Sequence, residues 1–211
     1  MKIAIFGDGG HASEVADICF DLGYQDIVFI VPDLVINETY SDNLLPESEV
    51  YSLAKQGFSF AVGIIDGRTR QKISSKFSDL RYPNLIHSSA TFGRNQSLNM
   101  TLSKGVIVGA GARFMSSTSV GDFSVFGLNC TIGHDCIISD FVSVMPGVNI
   151  SGNVHIDTYG FIGSGAVILQ GENNKKLYLN KGITVGAGSV VTKGYTKAKV
   201  IMGVPAREKD E

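Results

Sequence analysis

The sequence predicts an α/β domain of Rossmann type over residues 1–84, followed by a parallel β-helix over residues 85–211 that ends in a cap. Three observations carry this reading. The chain opens on "KIAIFGDGGHASEVADICFDLGY", which reads strand, glycine-rich turn, helix. Apolar residues recur at every sixth position from Leu102 to Ile168. Between the two regions lies the bridge "RYPNLIHSSATFG", in which Pro83 marks the boundary.

In the first region, Ile3, Ile5 and Phe6 form the opening strand. Val15, Ile18, Cys19 and Leu22 make the apolar stripe of a helix that Gly23 ends. "DIVFIV" is a second buried strand, ending near Asp33, and "FSFAVGI" is a third, with "DGRTRQKISSKF" as the following helix. Strands alternating with helices imply a small parallel sheet. Gly7, Gly9 and Ala12 fit G-x-G-x-x-[GA], a turn that cradles phosphate at a helix N-terminus. The acidic residue expected about 20 positions on is matched only loosely by Asp33, and the half-domain is too short for a full dinucleotide fold. The region therefore reads as a nucleotide-sized site, set against an ordinary tight turn. His11 could donate to a phosphate or base, or cap the helix start.

In the second region, the count by six runs Leu102, Val108, Phe114, Val120, Phe126, Ile132, Ile138, Val144, Ile150, Ile156, Ile162 and Ile168. Four positions after each stands a small or β-branched residue, such as Ala112, Cys130, Cys136 and Ala166. Glycine often follows the large apolar residue, at Gly109, Gly121, Gly127, Gly133 and Gly163, where it is expected to accept unusual backbone angles. This is the hexapeptide signature of a parallel β-helix, three hexads to a triangular coil. The phase breaks after Ile168 and resumes at Leu179, Val185 and Val191. The 11 residues from Ile168 to Leu179 are one hexad plus five, so "QGENNKKLYL" carries an extra polar loop over residues 170–178. Such a loop sits over a site or is a tolerated surface insertion. The ending "IMGVPAREKDE" suits a cap and a solvated tail.

Three hexads are about 18 residues, so residues that far apart stack. Ser116, His134, Gly152 and Gln170 form one outward-facing column on the turn side of the coils. His134 is thus presented on a corner, with the side-chain-free Gly152 above it leaving room for a ligand and an amide N–H. Asp135 follows at once and could orient the imidazole or raise its basicity. The alternative is a solvated surface pair.

Composition excludes several functions. The formal net charge is −2 and no block of five like charges occurs, so neither a nucleic-acid footprint nor a polybasic membrane patch is expected. "MKIAIFGDGG" is not a signal peptide, and no apolar stretch of about 18 residues could span a bilayer. Cys19, Cys130 and Cys136 are odd in number and without a CxxC pair, which predicts buried thiols in a cytoplasmic protein. A zinc hydratase needs three histidines around one metal. His134 and His155 are one coil plus three residues apart, on different faces, and His87 precedes the clear repeats, so no metal is expected. A non-catalytic scaffold is disfavoured by the outward His134–Asp135 pair. NAD binding is disfavoured by the missing second Rossmann half.

Taken together, "GDGGHA", "LIHSSA", "GHDC" and "GVPA" occur in an order that resembles the PglD/NeuD-type acyltransferases of bacterial surface-glycan pathways. The resemblance covers nearly the whole chain. It implies a left-handed β-helix, a homotrimer with active sites between subunits, and N-acetylation of a nucleotide-linked amino sugar by acetyl-CoA. On the residues that match, it implies His134 and Asp135 as the catalytic pair and Gly152 as the amide that meets the thioester carbonyl. It implies acetyl-CoA contacts at Ser143, Ser164 and Ala187, and substrate contacts at Gly9, Gly10, His11, Asp33 and Gly63. Some relatives have a histidine where Ser143 stands, and many have paired aspartates where only Asp33 remains. The rival within the family is O-acetylation of a sialic acid, which would need no nucleotide pocket.

Overall fold

The computed structural model describes residues 1–33, 43–94, 103–172 and 174–209. Leu102, which opens the count by six, Asn173 of the polar loop and the last two residues of the tail lie outside them.

The N-terminal part is a parallel four-stranded sheet. Its elements are β1 (Lys2–Phe6), α1 (Gly10–Asp21), β2 (Asp26–Val31), β3 (Leu44–Pro46), α2 (Val50–Lys55), β4 (Ser59–Val62) and α3 (Gly67–Lys76). The strand order is β3-β2-β1-β4. The apolar run of β1 is continuous because both of its faces are covered. Ile3 and Ile5 pack with Ala12, Val15 and Cys19 of α1. Ala4 and Phe6 face the opposite side, with Phe60 and Phe77. The reading of the sequence missed the edge strand β3 and the short helix α2, which carry no run of periodic apolar residues long enough to stand out.

The rest is a left-handed β-helix with three faces, formed by sheets of eight, six and four strands. Adjacent coils pair in parallel at a spacing of 18 residues, as in Val125 with Ser143, Thr131 with Asn149 and Ile137 with His155. After the polar loop the spacing becomes 23, with Val154 opposite Leu177 and Val167 opposite Val190, so the five extra residues are thrown out of the coil. The helix begins before the count by six does. Leu85 pairs with Ile107 and Thr91 with Arg113, a spacing of 22, so four extra residues hide the first coil from the periodicity.

The glycines that follow the large apolar residues serve a different purpose from the expected one. Positive φ occurs every sixth residue from Gly105 to Gly165, two positions further on, and most of those residues are not glycine: Ser117, Phe123, Asn129, Asp135, Phe141, Asn153 and Tyr159 among them. Gly121, Gly127, Gly133 and Gly163 are instead required by close approach. A Cβ at any of them would lie 2.5–2.6 Å from a backbone nitrogen of the next coil.

Arg70 joins the two parts. It leaves α3 only 1% exposed. Its guanidinium donates to the carbonyls of Ile64, Ile65, Phe123, Phe141 and Val142, at 2.5–3.1 Å, and to Ser143 Oγ at 3.0 Å. Burial lowers its pKa to about 10, which leaves it charged at neutral pH. Apolar packing runs across the same junction, since Leu85, Ile107 and Val125 share a cluster with α1, and Phe123 shares one with Phe6 and Phe60.

Candidate active site

His134 and Asp135 occupy the corner that follows the strand Thr131–Ile132. Asp135 has φ +58°, a left-handed conformation that Asp tolerates better than most residues. Both side chains are more than half exposed. His134 Nδ1 lies 2.7 Å from Asp135 Oδ2. With the carboxylate accepting from Nδ1–H, Nε2 is left with its lone pair free.

The space over Gly152 is taken by the imidazole itself. A Cβ on Gly152 would fall 2.5 Å from His134 Nε2, so this residue must be glycine for the ring to lie where it does. Among the described residues the Gly152 N–H donates to no protein acceptor. The other end of that peptide, Ser151 O, accepts from the buried thiol of Cys136 at 3.2 Å. Sequence reasoning gave Cys136 no role beyond core filling.

The acetyl-CoA contacts implied by resemblance do not converge within one chain. Gly152 lies beside His134. Ser164 and Ala187 are exposed on the corner at the other edge of the six-stranded face, stacked with Pro146, as the bonds Gly165 N–H to Pro146 O and Gly188 N–H to Ser164 O define. Ser143 is 2% exposed at the domain junction. Its hydroxyl donates to Ile65 O at 2.7 Å and accepts from Arg70. A hydroxyl so engaged and so buried has its only proton committed within the protein, so Ser143 serves the domain junction here.

Three of the five implied substrate residues, Gly9, His11 and Gly63, line a cavity of about 620 Å³ at the C-terminal ends of the sheet strands, within the usual range of ligand pockets. Gly7, Gly9, His11 and Gly63 line it, and Lys72 and Lys76 add cations. Gly10 is the exposed first residue of α1. Gly63 is dictated by packing, since a Cβ there would lie 2.7 Å from Ala12 Cα. The Asp33 carboxylate accepts from Ser48 N–H at 2.9 Å and does not line the cavity.

His11 also lines a narrower apolar groove of about 190 Å³ between α1 and the eight-stranded face, where His87 stands opposite. His11 Nδ1 donates to Glu14 at 3.0 Å, while Nε2 is buried without a partner among the described residues. His87 bonds Asp21 through Nε2 at 3.0 Å. The displaced register of the first coil concealed this second histidine from sequence reasoning.

Burial lowers the pKa of His11, against an opposing pull from Glu14, and burial likewise lowers that of His155. Both rings are neutral in the fold and gain protons more readily when unfolded. Their contribution is therefore fully present above the ordinary value of 6.5 and lost as pH falls through the lowered values. The melting temperature should drop between pH 7 and pH 5, and His11→Gln should flatten that drop.

Among the described residues, no group of three or more His, Cys, Asp or Glu side chains could hold a metal ion, and no helix is long and apolar enough to cross a membrane.

Fold and site together define a two-part hexapeptide-repeat protein, with a nucleotide-sized pocket in front and a His–Asp pair on a β-helix corner. Residues 2–77 match the PglD N-terminal domain. The GDP-perosamine N-acetyltransferase of Escherichia coli O157:H7 is 31% identical over 156 residues, covering 71% of this chain and 66% of that protein, just under two thirds of its length. The acetyltransferase domain of PglB from Neisseria gonorrhoeae, solved with acetyl coenzyme A, is 27% identical with a TM-score of 0.84, over 99% of this chain and 98% of that one. PerB from Caulobacter crescentus, solved with CoA and GDP-perosamine, is 25% identical with a TM-score of 0.85, over 100% and 98%. Over its whole length the chain is thus similar to sugar acetyltransferases of the PglD type.

Proposed function

We propose that this protein transfers the acetyl group of acetyl-CoA to the amino group, at C4, of a nucleotide-linked amino-dideoxy sugar in the cytoplasm. The observation that carries this reading is the corner geometry: Nδ1–H of His134 is held by Asp135, which leaves the Nε2 lone pair free, and the ring lies against Gly152, whose amide N–H donates to no acceptor among the described residues. The relatives named for GDP-perosamine support the amino-sugar class of acceptor.

In the reaction, the amine nitrogen attacks the thioester carbonyl carbon. His134 Nε2 takes the proton that the amine loses, and Asp135 stabilises the imidazolium. The Gly152 N–H stabilises the oxyanion of the tetrahedral intermediate, an effect worth roughly 3 kcal/mol for one donor. The C–S bond then breaks, and the thiolate recovers the proton from His134, leaving amide and free CoA. Both substrates bind together, so no acyl-enzyme is needed.

Neither the cavity at the sheet nor the groove beside α1 includes His134. Ser164 and Ala187 also stand a full face away from it. A second copy of the chain, in a homotrimer, brings its His134 corner to the groove of its neighbour. In this arrangement the nucleotide fills the cavity and the sugar passes His11 into the groove. Residues 1–84 supply the nucleotide site and residues 85–211 the acetyl-transfer site.

Two measurements test the proposal. The first is thiol release from acetyl-CoA with UDP-, dTDP- and GDP-linked 4-amino-4,6-dideoxy sugars, alongside sialic acid. Release with one nucleotide sugar is expected, and release with sialic acid alone would move the function to O-acetylation. The second is Gly152→Ala, whose methyl group must displace the His134 ring. Turnover should fall about 100-fold, as expected for misplacement of a catalytic group on the order of 1 Å.

A further inference from the structure

The loop that interrupts the repeat is built into the His134 corner. It leaves the coil at Gln170, next in the column after Gly152, and returns at Leu177. Its two ends are seated on the coil above, with Gly171 N–H donating to Gly152 O and Leu177 N–H to Asn153 O, both at 3.1 Å. Asn153 in turn donates its side-chain amide to Glu172 O and its backbone N–H to His134 O, the latter at 2.8 Å.

Lys176 then reaches one coil further. Its ammonium donates to the carbonyl of Asp135 and to Asn153 Oδ1, the second at 2.9 Å. Among the described residues, Asp135 O accepts no other hydrogen bond. This matters because Asp135 holds a left-handed backbone conformation, which persists only where the surroundings fix it. The same device recurs at the domain junction, where Arg70 caps the carbonyls of Phe123 and Phe141, both also at positive φ. At the His134 corner the residue so fixed is the one whose carboxylate holds Nδ1.

We propose that Lys176 is a positioning residue for acetyl transfer: by pinning the Asp135 carbonyl it holds the Asp135 carboxylate on His134 Nδ1 and so keeps Nε2 free to act as base. This rests on the acetyl-transfer reading, and its test includes a measurement that does not.

The test compares Lys176→Met and Lys176→Arg with a control, Lys175→Met, which alters a loop lysine that makes no side-chain hydrogen bond among the described residues. In 15N spectra at pH 8, wild type and the control should show His134, assigned through His134→Gln, as the Nδ1–H tautomer. Lys176→Met should show a mixture of tautomers. In the acetyl-transfer assay, Lys176→Met should lower kcat about tenfold with both KM values unchanged, the signature of a group misplaced in the transition state. Lys176→Arg should restore most of the loss. An unchanged tautomer and kcat in Lys176→Met would overturn the proposal. So would a raised KM for acetyl-CoA with unchanged kcat, which would make Lys176 a substrate-binding lysine. Full activity in His134→Ala would instead overturn the acetyl-transfer reading, and the tautomer measurement would still judge Lys176.

Discussion

His134→Ala is expected to lower kcat/KM for acetyl transfer by about 10²–10⁴-fold, the contribution typical of a positioned general base. The melting temperature should barely move, because exposed side chains away from special packing contribute within about 0.5 kcal/mol. The ring is largely outside the core, which is closed at this coil by Ile132, Cys136 and Val154. Circular dichroism and the oligomeric state measured beside the kinetics separate lost chemistry from lost structure. Asp135→Asn makes a sharper companion. Asn tolerates the left-handed backbone as well as Asp does, so a loss of rate there reports the carboxylate rather than the turn. Near-wild-type turnover in His134→Ala would remove the imidazole from the mechanism.

What could be read in the sequence was whatever the coil geometry repeats. A triangular coil forces the same environment on every sixth residue, so the buried columns and the outward corner of His134 were legible without coordinates. The loop was legible too, as a phase error of five. Unreadable were contacts made by docking two dissimilar parts. Arg70 lies in "GRTRQKISSK", where a charged residue is ordinarily solvated, and nothing local marks it as buried. Ser143 sits at a regular hexad position, and only the arrival of Ile65 and Arg70 from the other domain commits its hydroxyl to the junction. Lys176 lies within an insertion, where no period fixes the direction of any side chain. The glycines after the large apolar residues had the right identity for a different reason, since the constraint comes from the neighbouring coil and not from their own dihedral angles.

Arg70→Met is expected to cost about 3 kcal/mol or more of stability and to uncouple the two parts of the chain. The estimate follows from the acceptors left behind. Five carbonyls and one hydroxyl lose a donor; Ile65 O keeps the Ser143 hydroxyl and Val142 O keeps Val125 N–H, so among the described residues the carbonyls of Ile64, Phe123 and Phe141 are left without a partner, and a single buried polar group so left costs about 1–3 kcal/mol. Arg70→Lys would keep the charge, but one ammonium carries three donors from a single point and cannot replace a planar fork that reaches both domains at once. Urea titration followed by far-ultraviolet circular dichroism and by a probe in the N-terminal domain should show one transition in wild type and two in Arg70→Met. A single transition within about 0.5 kcal/mol of wild type would mean that apolar packing alone holds the junction. The functional consequence is directional. Arg70 grips Ile64 and Ile65, which follow Gly63, and Ile65 lines both the cavity at the sheet and the groove beside α1. Loosening that grip should raise KM for the nucleotide sugar, while the His134–Gly152 corner, which makes none of these bonds, keeps its geometry.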